Sequence, residues 1–277
     1  MKLTRRKFLN LGIKGVVLIS AGNSIQTFAN SSKLHGKNLN IALRFAIASD
    51  GHYGQTGIQY ESFHLDMINW LNAEKDTSTL DFTFINGDLV HDDPKWVPEL
   101  RAQFNKLKTP WYVSRGNHDK MDPASWEKEW GMPLNYSFIK NDTAFLVLDT
   151  ANEQGQYVCP NPAWTEQELK KLSGYKNLFV FMHITPFKWT QNGIACPKIT
   201  ELFEKQANLK AIFHGHDHDQ DSFKEMNGKY YFFDSHIAGN WGTPYRGYRI
   251  VELSDTGDIL TYQVNPTEGK KVNTTSI

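Results

Sequence analysis

Three of the chain's ten histidines, His214, His216 and His218, fall within five positions of the stretch AIFHGHDHDQD. They follow an apolar run and alternate with Asp217 and Asp219. A lone histidine there would be a solvated or core side chain. Three of them, with carboxylates between, form a donor set suited to a borderline divalent ion. Four earlier stretches repeat the theme, each an apolar run rich in β-formers that stops at an acid, an amide or a histidine. RFAIASDGH ends on Asp50 and His52, DFTFINGD on Asp88, PWYVSRGNHD on Asn117, His118 and Asp119, and NLFVFMH on His183.

Short continuous apolar runs bounded by glycine and polar residues read as buried strands. Helical patterns lie between several of them: Tyr60, Phe63, Met67 and Leu71 make one apolar face, and Val97, Leu100, Phe104 and Leu107 another. Thr165 and Glu168 have capping-box spacing ahead of Leu169 and Leu172. The alternation predicts an α/β fold with central strands, and the stretch from Lys229 onward adds antiparallel strands. In open α/β sheets ligand sites gather beyond the carboxyl ends of the strands, so residues far apart in sequence should converge there.

Length and composition bound the rest. The chain has 277 residues, with 30 Lys and Arg against 30 Asp and Glu, giving a formal net charge of zero. One sizeable core fits this length, and no electrostatic footprint for nucleic acid stands out. The N-terminus reads differently: Arg5 and Arg6 precede Phe8 and Leu9, a short apolar region interrupted by Lys14, and small residues at Thr27 and Ala29. This resembles a twin-arginine export signal cleaved after Ala29. The apolar region falls short of the ~20 residues that span a bilayer, so no stable membrane anchor is expected after cleavage. Residues 1–29 are therefore expected as signal peptide and 30–277 as one domain, with an ordered core of about 41–264 and a short C-terminal tail. Export implies a periplasmic or secreted protein, where Cys159 and Cys196 form either a disulfide or two unpaired thiols.

Taken in order, Asp50-Gly-His52, Gly87-Asp88, Gly116-Asn117-His118-Asp119, His183 and Gly215-His216-Asp217-His218 resemble the five blocks of the calcineurin-like metallophosphoesterase family. The resemblance implies a four-layer α/β/β/α sandwich with mixed sheets and two divalent ions drawn from Mn, Fe, Zn or Co. It puts Asp50, His52 and His218 on the first ion, Asn117, His183 and His216 on the second, and Asp88 between them. Two such ions, less the charges of two aspartates and a hydroxide, leave about one positive charge for a phosphate ester. The implied activity is phosphoester hydrolysis by in-line attack of a metal-bridging hydroxide. His118 would protonate the leaving group, with Asp119 orienting it, unless it is a turn histidine bonded to backbone. Arg115 resembles a phosphate-clasping arginine or is a solvated strand-end charge.

Departures narrow the branch. Purple acid phosphatases carry tyrosine three residues after the bridging aspartate, where this chain has His91, and they lack the first-block histidine that His52 supplies. His91, Asp92 and Asp93 are expected as a polar loop, with contact to substrate as the alternative. The blocks D-x-H and GDLVHDD look closest to cyclic-nucleotide and glycerophosphodiester hydrolases, so a small-molecule phosphodiester is the expected substrate. A phosphomonoesterase, a nuclease, or a non-catalytic metal- or ligand-binding protein on the same fold are the alternatives. His35 and His64 are expected to be structural and His214 to point away from the ligands. His236 and Trp241 are expected either at the pocket mouth or in the core.

Overall fold

A computed structural model describes residues 40–277, together with the backbone of two short strands before them, β1 (Lys33–Leu34) and β2 (Lys37–Asn38). The signal-like segment and His35 lie outside the described residues. Two six-stranded mixed sheets follow. The first runs β14 (Lys270–Ser276), β13 (Ile259–Asn265), β12 (Tyr248–Ser254), β3 (Ile41–Ala48), β4 (Phe82–Asn86), β5 (Trp111–Ser114). The second runs β10 (Phe223–Met226), β11 (Lys229–Phe233), β9 (Leu209–His214), β8 (Asn177–Phe181), β7 (Thr143–Val147), β6 (Tyr136–Lys140). The strands that precede the candidate ligands are parallel within each sheet: β3, β4 and β5 in one, β8 and β9 in the other.

Why the apolar runs are continuous follows from the layers. In β3 the alternating Leu43, Phe45 and Ile47 face the core between the sheets, joined there by Phe82, Phe84, Phe145, Phe179, Phe181 and Phe213. Ala46 and Ala48 face the other way, toward Met67, Leu71, Leu100 and Trp126. Those come from helices α1 (Tyr60–Thr77), α2 (Val97–Phe104) and α3 (Pro123–Trp130). On the far side of the second sheet, Leu178, Val180 and Ile212 pack on Leu169, Leu172, Ile199 and Phe203 of α4 (Pro162–Leu172) and α5 (Pro197–Lys205). A strand covered on both faces needs no polar side, and the expected α/β/β/α layering results.

Two expectations need correction. Thr165 does not cap a helix: α4 begins three residues earlier, where the Asn161 side chain accepts from the backbone N–H groups of Ala163 and Trp164 and Pro162 takes the first position. Asn161-Pro162 is itself a start signal, and it won over the Thr-Glu spacing. The stretch after residue 264 is not a loose tail but turns into β14, which pairs antiparallel along β13 and satisfies its outer backbone groups.

Candidate metal centre

Four of the strands end two residues before a candidate ligand: β3 before Asp50, β4 before Asp88, β8 before His183 and β9 before His216. Their ends lie together, so the ligands converge. Asp50, His52 and His218 bring one donor atom each to within 4.8 Å of one another, and Asp88, His183 and His216 do the same. Asp88 stands between the two sets, its Oδ2 lying 3.2 Å from His183 Nε2 and 3.7 Å from His52 Nε2. His218 Nε2 is 3.1 Å from Asp50 Oδ1 and 3.0 Å from His52 Nε2.

The backbone pays a conformational cost for this convergence. Asp50, His52, Asp88 and His216 all have left-handed φ, at 57°, 44°, 50° and 66°. Such conformations persist where surrounding bonds over-determine them and cluster at functional sites. Asp50 accepts from Ser49 Oγ (2.6 Å) and from the His216 backbone N–H, and Asp88 Oδ1 accepts from the His118 N–H (2.8 Å). Of the motif glycines at 51, 87, 116 and 215, only Gly87 has positive φ. Gly116 and Gly215 serve close approach instead, since a Cβ at either would collide with Asp88 or with Ser49 and Asp50.

Three candidate ligand atoms are left without partners. Asn117 Oδ1, His183 Nε2 and His216 Nε2 are buried without a hydrogen-bond partner; the 3.2 Å approach of His183 Nε2 to Asp88 lacks hydrogen-bond alignment. The opposite nitrogens are held from outside the cage, His183 Nδ1 by the Asn86 carbonyl (2.7 Å) and His218 Nδ1 by the Trp241 carbonyl (3.2 Å). That is the outer support which fixes tautomer and ring direction for metal ligation. Burial lowers His52 to about 3 and His216 to about 4, leaving neutral imidazoles. Burial opposes ionisation of Asp50 and Asp88, yet the histidines beside them outweigh it and hold both carboxyls well below the usual range. Against burial, the carboxylates beside them raise His183, to about 10, and His218, so a metal entering must displace a proton from His183. Two carboxylates, one amide oxygen and four imidazoles, all buried, suit divalent transition ions.

A family model described as calcineurin-like phosphoesterase matches residues 43–220. The chain belongs to that family. The calcineurin-like fold is also seen in solved structures. A dimetal phosphatase from Danio rerio is similar at a TM-score of 0.67 and 11% identity, covering 86% of this chain and 99% of that one. A purple acid phosphatase from yellow lupin (Lupinus luteus) seeds is similar at a TM-score of 0.61 and 14% identity, over 85% of this chain and 53% of that one. This chain thus spans about half of the lupin enzyme. No curated protein matches the chain. Membership of the calcineurin-like phosphoesterases implies a phosphoric ester hydrolase using divalent metals.

Around the phosphoesterase cage, several expected roles change. Arg115 does not reach out to clasp phosphate. Its guanidinium is buried, 3% exposed, donating to both Asp149 oxygens (3.1 and 2.6 Å) and to the Met121 and Ala151 carbonyls. Asp119 does not touch the His118 ring. Its carboxylate accepts from the N–H groups of Leu89, Val90 and Gly116, joining the second and third blocks. Burial, then the charge of Asp88, raises Asp119 to about 7. Asp92 holds His118 instead, its Oδ1 lying 2.9 Å from Nδ1 and shared with Lys120 Nζ at 2.8 Å.

His91, expected in a polar loop, sits in the site: its Nδ1 is 3.1 Å from His52 Nδ1, and its ring stacks on His118 at 4.7 Å. His64, expected to be structural, is bonded to the Tyr60 carbonyl, and His214, expected to point away from the ligands, is bonded to the Met182 carbonyl. His218 is stacked by His236 (5.3 Å) and Trp241 (4.5 Å), which places both at the cage wall. Tyr157, not singled out by sequence, meets His216 edge-on at 4.9 Å. Two residues on, Cys159 is bonded to Cys196, with Cα atoms 5.6 Å apart. Nothing in the spacing of Tyr157 announces a site residue; the nearby cysteine was the available signal.

Proposed function

We propose that the protein is an exported dinuclear metallophosphoesterase that hydrolyses small phosphodiesters. One observation carries the reading: two buried donor sets meet at Asp88, whose Oδ2 faces a histidine of each. Asp50, His52 and His218 would hold one ion, Asn117, His183 and His216 the other, with Asp88 shared. Divalent ions held there supply Lewis-acid activation of water and of the phosphoryl oxygens.

The chain's own residues do the rest. His118 is tied by its backbone N–H to Asp88 Oδ1 and by its ring to Asp92, so its position is fixed relative to the bridging carboxylate. With Nδ1 occupied by Asp92, Nε2 is the atom that delivers a proton to the departing ester oxygen. Asp119 sets the separation of the two loops that make this possible. Trp241, 47% exposed, and Tyr157, 38% exposed, flank His218 and His216 and offer apolar surface to the organic groups of an ester. A diester has two such groups, which favours it over a monoester.

The Cys159–Cys196 bond supports export, as disulfides persist in oxidising compartments, and Arg5-Arg6 with the following apolar run supports the twin-arginine route. Among the described residues no helix is long and apolar enough to cross a membrane. The test is hydrolysis of bis-p-nitrophenyl phosphate and p-nitrophenyl phosphate by metal-stripped protein refilled with Mn or Zn. Turnover of the diester above the monoester, dependent on about two metals per chain, is expected. Metal uptake without turnover of either ester would leave a binding protein.

A further inference from the structure

A third cluster of donors adjoins the two sets and shares only His52 with the first. His52 turns Nε2 toward Asp88 and His218, and its other nitrogen, Nδ1, faces His91 Nδ1 at 3.1 Å. His118 completes the group, stacked on His91 with planes 13° apart and standing edge-on to His52 at 4.9 Å. One ring nitrogen from each of His52, His91 and His118 lies within 4.8 Å of the other two. His91 and His118 are half-buried rather than sealed, so a solvated ion can reach them. Asp92, 2.9 Å from His118 Nδ1, sets a carboxylate at the cluster's edge.

We propose that His52, His91 and His118 form a third transition-metal site that inhibits hydrolysis when filled. A trio of imidazoles suits zinc, nickel or copper rather than magnesium or calcium. The ion would take a lone pair from each ring. His52, already facing the first metal through Nε2, would give up its Nδ1 proton to solvent and bridge the two ions. The cation thereby occupies His118 and removes it from proton transfer. The inhibitory part rests on the reading of His118 as proton donor; the binding part does not. The competing arrangement is a His52 Nδ1–H donated to His91, which would make His91 a support for ligand orientation alone.

The experiment counts metal. Untagged protein is stripped, dialysed against rising zinc, and analysed for zinc per chain as wild type, His91→Asn and His118→Asn. Asparagine at 91 keeps an acceptor for His52 but lacks the imidazole. The expected result is three zinc ions in the wild type and two in each variant. Wild-type diesterase rate should fall by about tenfold or more as the third fills, consistent with loss of a positioned proton donor, and should return on brief treatment with citrate. A wild type that stops at two overturns the site, as do variants that still take three. A fall to one in His91→Asn overturns it in favour of the supporting role. Absence of activity at every loading, with the three-and-two pattern intact, supports the site and counts against the hydrolase reading.

Discussion

The ligand cage and its rim are built by different means. Every cage residue is buried and follows the end of a β-strand, and four of the seven are held by backbone groups: Asp50 by the His216 N–H, Asp88 by the His118 N–H, His183 and His218 by carbonyls. The rim residues His91, His118, Tyr157 and Trp241 sit in loops, partly exposed, and are held by ring contacts, by Asp92 or through the disulfide loop. Rigid strand ends fix distances between metals, a requirement shared by any two-ion hydrolase. Loops choose what is brought to them. Under the proposed function the cage would encode the reaction and the rim the substrate.

The sharpest way to break this division is through the residue common to both metal sets. Asp88→Ala should lose both ions and with them essentially all turnover, more than about 10⁴-fold, because two-ion activation disappears as a unit. Metal analysis showing one ion retained would restrict Asp88 to a single site. Next in size is His118→Ala. This rim change should leave two tight metals in place and cost roughly 10²- to 10⁴-fold in turnover, with a larger loss on alkyl than on nitrophenyl diesters. An equal loss on both would assign His118 to charge stabilisation of the phosphoryl group.

A smaller effect separates the cage from the rim by pH. In the metal-free protein burial pushes His183 toward neutrality, but Asp88 and Asp50 outweigh it and raise its pKa to about 10. A metal entering the second set must therefore expel that proton. Because the pKa is raised, the proton competes at every pH below it, so affinity rises with pH. The slope should approach about tenfold per pH unit for one proton displaced. Asp50 and Asp88 are already ionised and add nothing to it. Chelator competition between about pH 6 and 8 reads the slope; a flat profile would show His183 neutral beforehand.

The same division explains what was legible in the sequence. Each cage residue follows an apolar run whose two buried faces leave it unmistakable as a strand, so Asp50, Asp88, His183 and His216 announce themselves by position. The rim has no period to read. Asp92 finds His118 across 26 residues, and Arg115 finds Asp149 across 34. Neither partner follows from local pattern: the sequence offers Asp119 as the nearer acid for His118, and nothing in it points Arg115 at Asp149. His91 stays ambiguous in the sequence because a histidine in GDLVHDD looks solvated as readily as it looks like a substrate contact; only the packing of the 88–92 loop on the 116–120 loop, through Asp119 and the Asp92 N–H to His118 carbonyl bond, brings it inward.

Trp241 is where the division is hardest to break, because it touches both parts. Its ring lies flat on the cage ligand His218 at 4.5 Å and 9°, while its carbonyl accepts from His218 Nδ1. Trp241→Ala deletes the ring and keeps the carbonyl, so the tautomer of His218 and the first metal should survive. What is lost is a half-exposed aromatic face beside His218, where the proposed ester would lie. An aromatic contact contributes about 0.5–1.5 kcal/mol beyond its area, so KM for an aryl diester should rise by roughly 2- to 10-fold. Turnover at saturation should hardly move if the ring stacks on ester and transition state alike, which is uniform binding. Methyl esters, with no ring to stack, should be less affected. A KM that rises equally for methyl and aryl substrates would mean that the indole positions His218 rather than the ester. A fall in metal content would place Trp241 in the cage, and the boundary drawn between reaction and substrate would have to move outward to include it.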